Sequence, residues 1–166
     1  MYKYSIFKTN YGYMGAVASP LGLHLIILPK KDEKEVKQVL EAHYATEIYR
    51  DEKLLSAMVK IIKSYLTGNP VIFKEKLDVS GATPFEIKVW DTVNGIPRGE
   101  VRSYAWVAAK VGKASEVRAV GQALKRNRWP IIIPCHRVIR KSGDLGGYAG
   151  GAQLKYKLLK LEGSVL

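Results

Sequence analysis

The chain has 166 residues with 47% hydrophobic content, enough to bury the core of one domain or two small ones, which excludes a disordered tail and a disulfide-stapled miniprotein. Lys and Arg number 27 against 15 Asp and Glu, a formal charge of +12, which favours a polyanionic partner. No stretch approaches the roughly 20 apolar residues of a membrane span and the N-terminus lacks an apolar secretory core, so a soluble, cytoplasmic protein with no membrane partner is expected. In chain order, Tyr2, Tyr4 and Ile6 alternate with polar positions, and β-rich runs over 11–19 and 21–28 are separated by turn signals, predicting an antiparallel meander. Asp32 and Glu35 form a capping pair before the helical spacing of Val36, Val39, Leu40 and Tyr44. A second helix is predicted over 52–66, stopping at Gly68-Asn-Pro70, followed by a strand or extended linker over 71–79. His24 and His43 have no Cys, Asp or Glu at ligand spacing, so both read as structural and no metal is expected.

A boundary is predicted at Ser80-Gly81. After it, Thr83, Pro84 and Glu86 place an N-cap, an N1 proline and a capping-box carboxylate in register, predicting a helix from Pro84 to Asn94 whose buried stripe is Phe85, Val89, Trp90 and Val93. Ser103 caps a short helix over 104–111 ending at Gly112, and Ser115 is expected to cap another over 116–126. Two short helices around a glycine-containing turn have the form of a helix-turn-helix, and equally of a helical hairpin that never meets DNA. Charge is uneven along the chain: residues 1–80 carry 12 basic and 9 acidic side chains, residues 81–166 carry 15 and 6, and between Lys110 and Lys141 Glu116 is the sole acid among nine bases, a cluster that reads as a solvated face or as the meeting point for a polyanion in equal measure. In the second helix Ala119, Gly121 and Ala123 interrupt a basic element. A helix-interior glycine costs about 1 kcal/mol against alanine, so either a partner or a neighbouring helix comes close.

The segment Trp129-Pro-Ile-Ile-Ile-Pro-Cys135-His136-Arg137-Val138-Ile139 holds the only cysteine. One thiol forms no internal disulfide and is too little for a cysteine-ligated zinc site. Three β-branched residues between prolines predict a rigid, buried, extended stretch that delivers a thiol followed by an imidazole and a guanidinium. A thiolate is the nucleophile, and a base or positive charge is needed to make it near pH 7. On an extended chain, however, neighbouring side chains point to opposite faces, and a buried cysteine can equally be a small hydrophobe.

Pro134-Cys135-His136-Arg137-Val138-Ile139 resembles the active-site motif of the O6-alkylguanine-DNA alkyltransferases. Gly99-Glu-Val-Arg-Ser-Tyr104, Arg118-Ala-Val-Gly121, Asn127, Gly146-Gly-Tyr148-Ala-Gly-Gly151 and Lys155…Leu158-Leu…Glu162-Gly match in order and spacing, so the resemblance is dense over residues 83–163. It implies single-turnover transfer of a methyl or other alkyl group from guanine O6, and from thymine O4, in duplex DNA to Cys135, with no cofactor and a monomeric protein. By the same resemblance Glu162 holds His136, which deprotonates Cys135 through a water. Arg118 fills the space left by the extruded base, and Tyr104 rotates the nucleotide and protonates guanine N3. Asn127 is the hinge. DNA contacts are implied for Ala119, Gly121, Ala123, Lys125, Arg126 and Arg128, and pocket positions for Val138, Tyr148, Ala149 and Trp90. The carbonyls of Val138 and Cys135 would face the exocyclic amine.

The chain departs from the pattern at Arg128, where many relatives have proline, and at Ala149, where others have a serine hydroxyl. It also lacks the N-terminal cysteines with which some relatives hold zinc. The whole reading is a two-domain α/β (α+β) protein. Residues 1–80 form a ribonuclease-H-like three-stranded antiparallel sheet with helices, and residues 81–166 a helical, winged helix-turn-helix domain. Three other readings remain at this stage: a non-catalytic lesion-recognition protein, a sequence-reading helix-turn-helix regulator and a Cys-His hydrolase. The first is opposed by the presence of Cys135.

Overall fold

The computed structural model describes residues 1–45 and 47–164. They form two compact units, Met1–Val79 and Ser80–Leu166, dividing one residue before the expected boundary. The first unit opens with β1 (Tyr2–Thr9), β2 (Gly12–Ser19) and β3 (Gly22–Lys30), paired antiparallel in sequence. Helix α1 (Glu33–His43) starts where Asp32 accepts from the Glu35 amide, as its capping pair requires. A short strand, β4 (Ile48–Arg50), then returns parallel to β1, and α2 (Glu52–Leu66) follows.

The sheet therefore has four strands in the order β3-β2-β1-β4, one more than expected. The extra strand is only three residues long, too short to show a period, and its parallel pairing needs the α1 crossover that separates it from β1. Both faces of the sheet are covered, because Ser5-Ile6-Phe7 and Met14 to Val17 are each buried in succession rather than alternately. Val36 and Leu40 of α1 pack with Ile6, Val17, Leu25 and Ile27, and α2 buries Leu55, Met58, Ile62 and Tyr65.

The segment 71–79 is extended but forms no continuous strand. Leu77 makes a single parallel bridge to Leu23, flanked by hydrogen bonds from the Leu23 amide to the Lys76 carbonyl and from the Asp78 amide to the Leu23 carbonyl, both 2.8 Å. The buried Asp78 carboxylate accepts from the Ser19 hydroxyl and lies 3.1 Å from His24 Nδ1. His24 is thus structural, in edge contact with Tyr2.

In the second unit, α3 (Pro84–Asn94) carries both halves of its capping box, Thr83 to Glu86 and back. Short β5 (Arg102–Ser103) leads into α4 (Tyr104–Lys110), capped by Ser103. Helix α5 (Val117–Lys125) begins one residue later than expected, with Glu116 at its N-cap and no side-chain cap from Ser115. β5 pairs in parallel with β6 (Val138–Ile139), two residues each. This pair is the whole of the second unit's sheet among the described residues, where a wing was expected. Helix α6 (Ala152–Leu161) ends the unit. Val89, Val93, Val107, Val120, Trp129, Leu158 and Leu159 are fully or nearly fully buried and make its core.

Gly22 has φ +147°, and a Cβ there would lie 2.4 Å from the Lys76 carbonyl oxygen. Gly22→Ala is expected to destabilise the protein by about 2 kcal/mol through strain and lost docking of the 76–78 segment. Gly112→Ala, at φ +80° with nothing near its Cβ, should cost less. Urea titration of both variants provides the comparison.

Candidate functional site

The stretch between the two prolines is not the extended rod that its β-branched residues suggested. The Ile133 amide donates back to the Trp129 carbonyl at 2.8 Å, and Ile131 sits at φ 76°, an outlying conformation for a β-branched residue. The chain then enters a 3-10 turn, Cys135–Arg137. Three residues per turn separate successive side chains by about 120° instead of 180°. Cys135 and His136 can therefore both be buried, while His136 and Arg137 reach one shared acceptor set.

That acceptor set is Glu162, at the C-cap of α6 and buried. Its Oε1 takes hydrogen bonds from His136 Nε2 at 2.9 Å and Arg137 Nη2 at 2.8 Å, and its Oε2 from Arg137 Nε at 3.0 Å. Arg137 Nη1 donates in turn to the Ile96 carbonyl at 2.6 Å. A carboxylate gripped by two guanidinium nitrogens is ionised and can only accept. His136 Nε2 must then carry a hydrogen, and in the neutral ring Nδ1 carries the lone pair. Burial pushes the His136 pKa down, against the upward pull of Glu162, so at neutral pH the imidazole is the neutral, base-competent form.

Cys135 is buried but retains 9% of its surface. Its sulfur accepts from Asn127 Nδ2 at 3.3 Å, and the same nitrogen donates to the Ile133 carbonyl at 3.0 Å. Asn127 Oδ1 accepts from the Trp129 amide at 2.9 Å. Burial pushes the thiol pKa up, while the Asn127 hydrogen bond and the positive charge of Lys155 pull it down. Burial wins, so the resting group is a thiol held beside groups that stabilise its anion. Lys155 is fully buried, and its Nζ donates to the carbonyls of Val138, Leu145 and Gly147. Desolvation lowers its pKa to about 8, with the charge of Cys135 opposing.

Around this centre, Tyr104 is half-buried, its hydroxyl 3.5 Å from the Gly147 carbonyl. A Cβ on Gly146 would come within 3.0 Å of that hydroxyl, so glycine lets the loop close over the phenol. Burial raises the Tyr104 pKa, and the Cys135 charge raises it further. The Tyr148 ring stands edge-on to His136 at 6.4 Å. Ala149 is exposed. The Val138 carbonyl, expected to face a base amine, already takes one hydrogen bond from Lys155 and has a second lone pair.

Helix α5 presents Arg118, Gln122 and Lys125 outward. A Cβ on Gly121 would meet nothing within 4 Å, so close helix packing does not explain this glycine and the face is open to a partner. Ala123 is placed otherwise: it is buried, and its carbonyl accepts from Trp90 Nε1 at 2.9 Å. Trp90 is likewise a packing residue, 3% exposed and edge-on to Trp129 at 5.3 Å, rather than a pocket wall. Arg126 pairs with Glu86, and Arg128 donates to the Ser80 carbonyl.

A family model described as the 6-O-methylguanine DNA methyltransferase DNA-binding domain matches residues 84–164. The methylated-DNA–protein-cysteine methyltransferase of Methanosarcina acetivorans is 37% identical over 158 residues, 92% of this chain and 99% of that protein. Its counterpart in Salmonella typhimurium is 38% identical over 133 residues, 79% of this chain and 78% of that one. The chain belongs to the 6-O-methylguanine-DNA methyltransferase family. The crystal structure of Mycobacterium tuberculosis OGT in complex with DNA aligns with a TM-score of 0.82 and 33% identity, over 97% of this chain and 92% of that one.

Within this family member, two residues of the centre escaped the sequence reading. In the sequence Arg137 reads only as positive charge near the thiol, yet it is the residue that keeps Glu162 ionised. Lys155 carried a readable signal: Lys155, Leu158, Leu159 and Glu162 follow i, i+3, i+4, i+7 spacing, so the inward stripe of α6 begins and ends on a charge.

Replacing Glu162 by Gln leaves Arg137 without its counter-charge and lets the amide donate to His136, reversing the tautomer. The rate of sulfur alkylation by free benzylguanine is expected to fall about 10²–10⁴-fold, the range of a lost acid-base contribution. Lys155 is charged below about pH 8 and neutral above it, and its charge favours the thiolate. The wild-type rate should therefore rise with pH and bend down above about 8, a bend that Lys155→Met removes in a stopped-time pH series.

Proposed function

We propose that the protein repairs duplex DNA by moving a methyl or other alkyl group from O6 of guanine irreversibly onto the sulfur of Cys135. The observation that carries this reading is the buried Glu162–His136 pair set next to the sole cysteine, whose sulfur already holds the Asn127 amide. A nucleophile, a base and an orienting third group make an activated nucleophile.

In the reaction, His136 Nδ1 takes the thiol proton through a bridging water, and Glu162 stabilises the imidazolium. The thiolate attacks the alkyl carbon, the C–O6 bond breaks, and Tyr104 supplies a proton to N3 of the departing guanine. The transfer balances without a cofactor. The new thioether has no leaving group that water can displace easily, so one molecule treats one lesion. The chemistry needs the base outside the stack, at a cost of a few kcal/mol that is smaller for a damaged base.

Helix α5 is the element for that task. Its exposed Arg118 enters the vacated space, and Ala119 and the open side of Gly121 let the backbone approach the narrow minor groove, with Lys125 near a phosphate. Val138, Tyr148 and Ala149 line the pocket. The protein acts as a monomer in the cytoplasm.

Incubation with a duplex bearing labelled O6-methylguanine should give one label per protein at Cys135, read by mass spectrometry, and none on Cys135→Ser. Repeated turnover would indicate a hydrolase, and tight sequence-selective binding without label would indicate a regulator. Arg118→Ala should slow repair of duplex by about 10–100-fold, the equivalent of losing support for an extruded base, while its reaction with free benzylguanine stays close to wild type. Equal losses on both substrates would remove the insertion role.

A further inference from the structure

Asn127 is flanked by two arginines, and neither guanidinium is idle. Arg126 Nη1 donates at 2.7 Å to Glu86 Oε1, and Glu86 Oε2 accepts from the Thr83 amide at 2.9 Å. One carboxylate thus caps the start of α3 and grips the residue that ends α5. Arg128 Nη2 donates at 2.9 Å to the Ser80 carbonyl, and its guanidinium lies 4.9 Å from the centre of the Trp129 ring. Trp129 has no exposed surface and stands against Trp90, whose indole N–H holds the Ala123 carbonyl. These three partners of the 126–129 turn, Ser80, Glu86 and Trp90, come from one stretch of chain.

We propose that Arg126 and Arg128 are positioning residues that brace the turn carrying Asn127 and so hold its amide on the Cys135 sulfur. The chemistry favours this over a pair of phosphate contacts. An ion pair between two exposed chains is worth little; here the Arg126 side chain is 68% exposed, but Glu86 is buried and a buried carboxylate needs its partner. The Arg126 pairing is also the largest cause of the lowered Glu86 pKa. Arg128 combines a directed donor with a face on an indole, a two-part fit that a guanidinium makes and an ammonium does not. Asn127 itself has no slack. Its oxygen is fixed by the Trp129 amide and its nitrogen by the Ile133 carbonyl, so the position of the sulfur donor is set by where residues 126–129 lie. Displacing them lengthens and weakens the 3.3 Å contact to the sulfur. The inference rests on Cys135 being the reactive group, which makes the braces part of the reaction although they touch neither base nor sulfur.

The test measures the pH dependence of Cys135 alkylation by iodoacetamide, without DNA, in wild type, Arg126→Ala, Arg128→Ala, the double variant and Asn127→Ala. Cys135 is the only thiol, so the adduct is unambiguous. Loss of a hydrogen bond to the charged form raises a pKa. The double variant should therefore shift the profile to higher pH in the direction of Asn127→Ala and react about 3–10-fold more slowly at neutral pH, with each single variant between. Glu86→Gln keeps the Arg126 charge and an oxygen for the Thr83 amide, and serves if the alanine variants do not fold. It should shift the thiol profile the same way while duplex affinity is unchanged or higher. Arg126→Lys should restore only part of the rate. Unchanged thiol profiles in the folded variants would overturn the proposal. If that came with weaker duplex binding and a salt dependence reduced by about 0.9 log-log units per arginine, the two residues are phosphate contacts. Absence of label transfer from lesion-bearing duplex would refute the repair reading and leave this titration intact, so the two failures are distinguishable.

Discussion

The site depends on a single buried carboxylate serving two masters. Glu162 is ionised because Arg137 grips it through two nitrogens, and because it is ionised it fixes the tautomer of His136. An isolated carboxylate at this depth would take up a proton, and a protonated Glu162 could offer a hydrogen to the ring and send the lone pair to the wrong nitrogen. The arginine in the motif therefore determines the direction in which histidine can move a proton, acting through Glu162. The same guanidinium spends a third nitrogen on the Ile96 carbonyl, so the loop after α3, the 3-10 turn and the end of α6 are held by one cluster.

A second balance surrounds the sulfur. Burial protects the thiol from ionising at rest, while Asn127 and the Lys155 charge lower the cost of ionising it once a base takes the proton. A thiolate stable in the resting protein would be open to any electrophile that reached it, and a thiol with no such neighbours would be inert. Lys155 does a further job: its ammonium gathers the carbonyls of Val138, Leu145 and Gly147, drawing the glycine-rich loop onto β6. The ion that tunes the nucleophile also shapes the cavity wall, and it does both only while it keeps the proton that desolvation makes easier to lose.

The parts of this arrangement that sequence made legible are those in which cause and effect lie within one helical turn. Thr83, Pro84 and Glu86 announced α3 with its ends, and Asp32 with Glu35 announced α1. The roles of Cys135, Tyr104, Asn127 and Glu162 are legible only through a family likeness, since His136 and Glu162 meet across 26 positions and nothing local predicts that. The 3-10 turn at Cys135 was hidden because isoleucines between prolines favour extension, and the turn exists only where tertiary packing holds Ile131 at a φ that its side chain resists. β4 was missed because three residues cannot display alternation. Ala123 was expected at the DNA face by resemblance although it is buried in α5, and Trp90, given a pocket position by resemblance, lies on the buried stripe that its spacing in α3 already indicated.

The first unit closes on the Asp78 carboxylate, tucked under the turn between β2 and β3 and bound to Ser19 and His24. The chain passes this point immediately before the second unit begins. There it is held by a pair of backbone hydrogen bonds at Leu23 and by a carboxylate set between two side chains. The clip therefore fixes the point at which the polypeptide leaves the first unit: the last residues before the boundary are anchored by the sheet's own edge and a buried carboxylate.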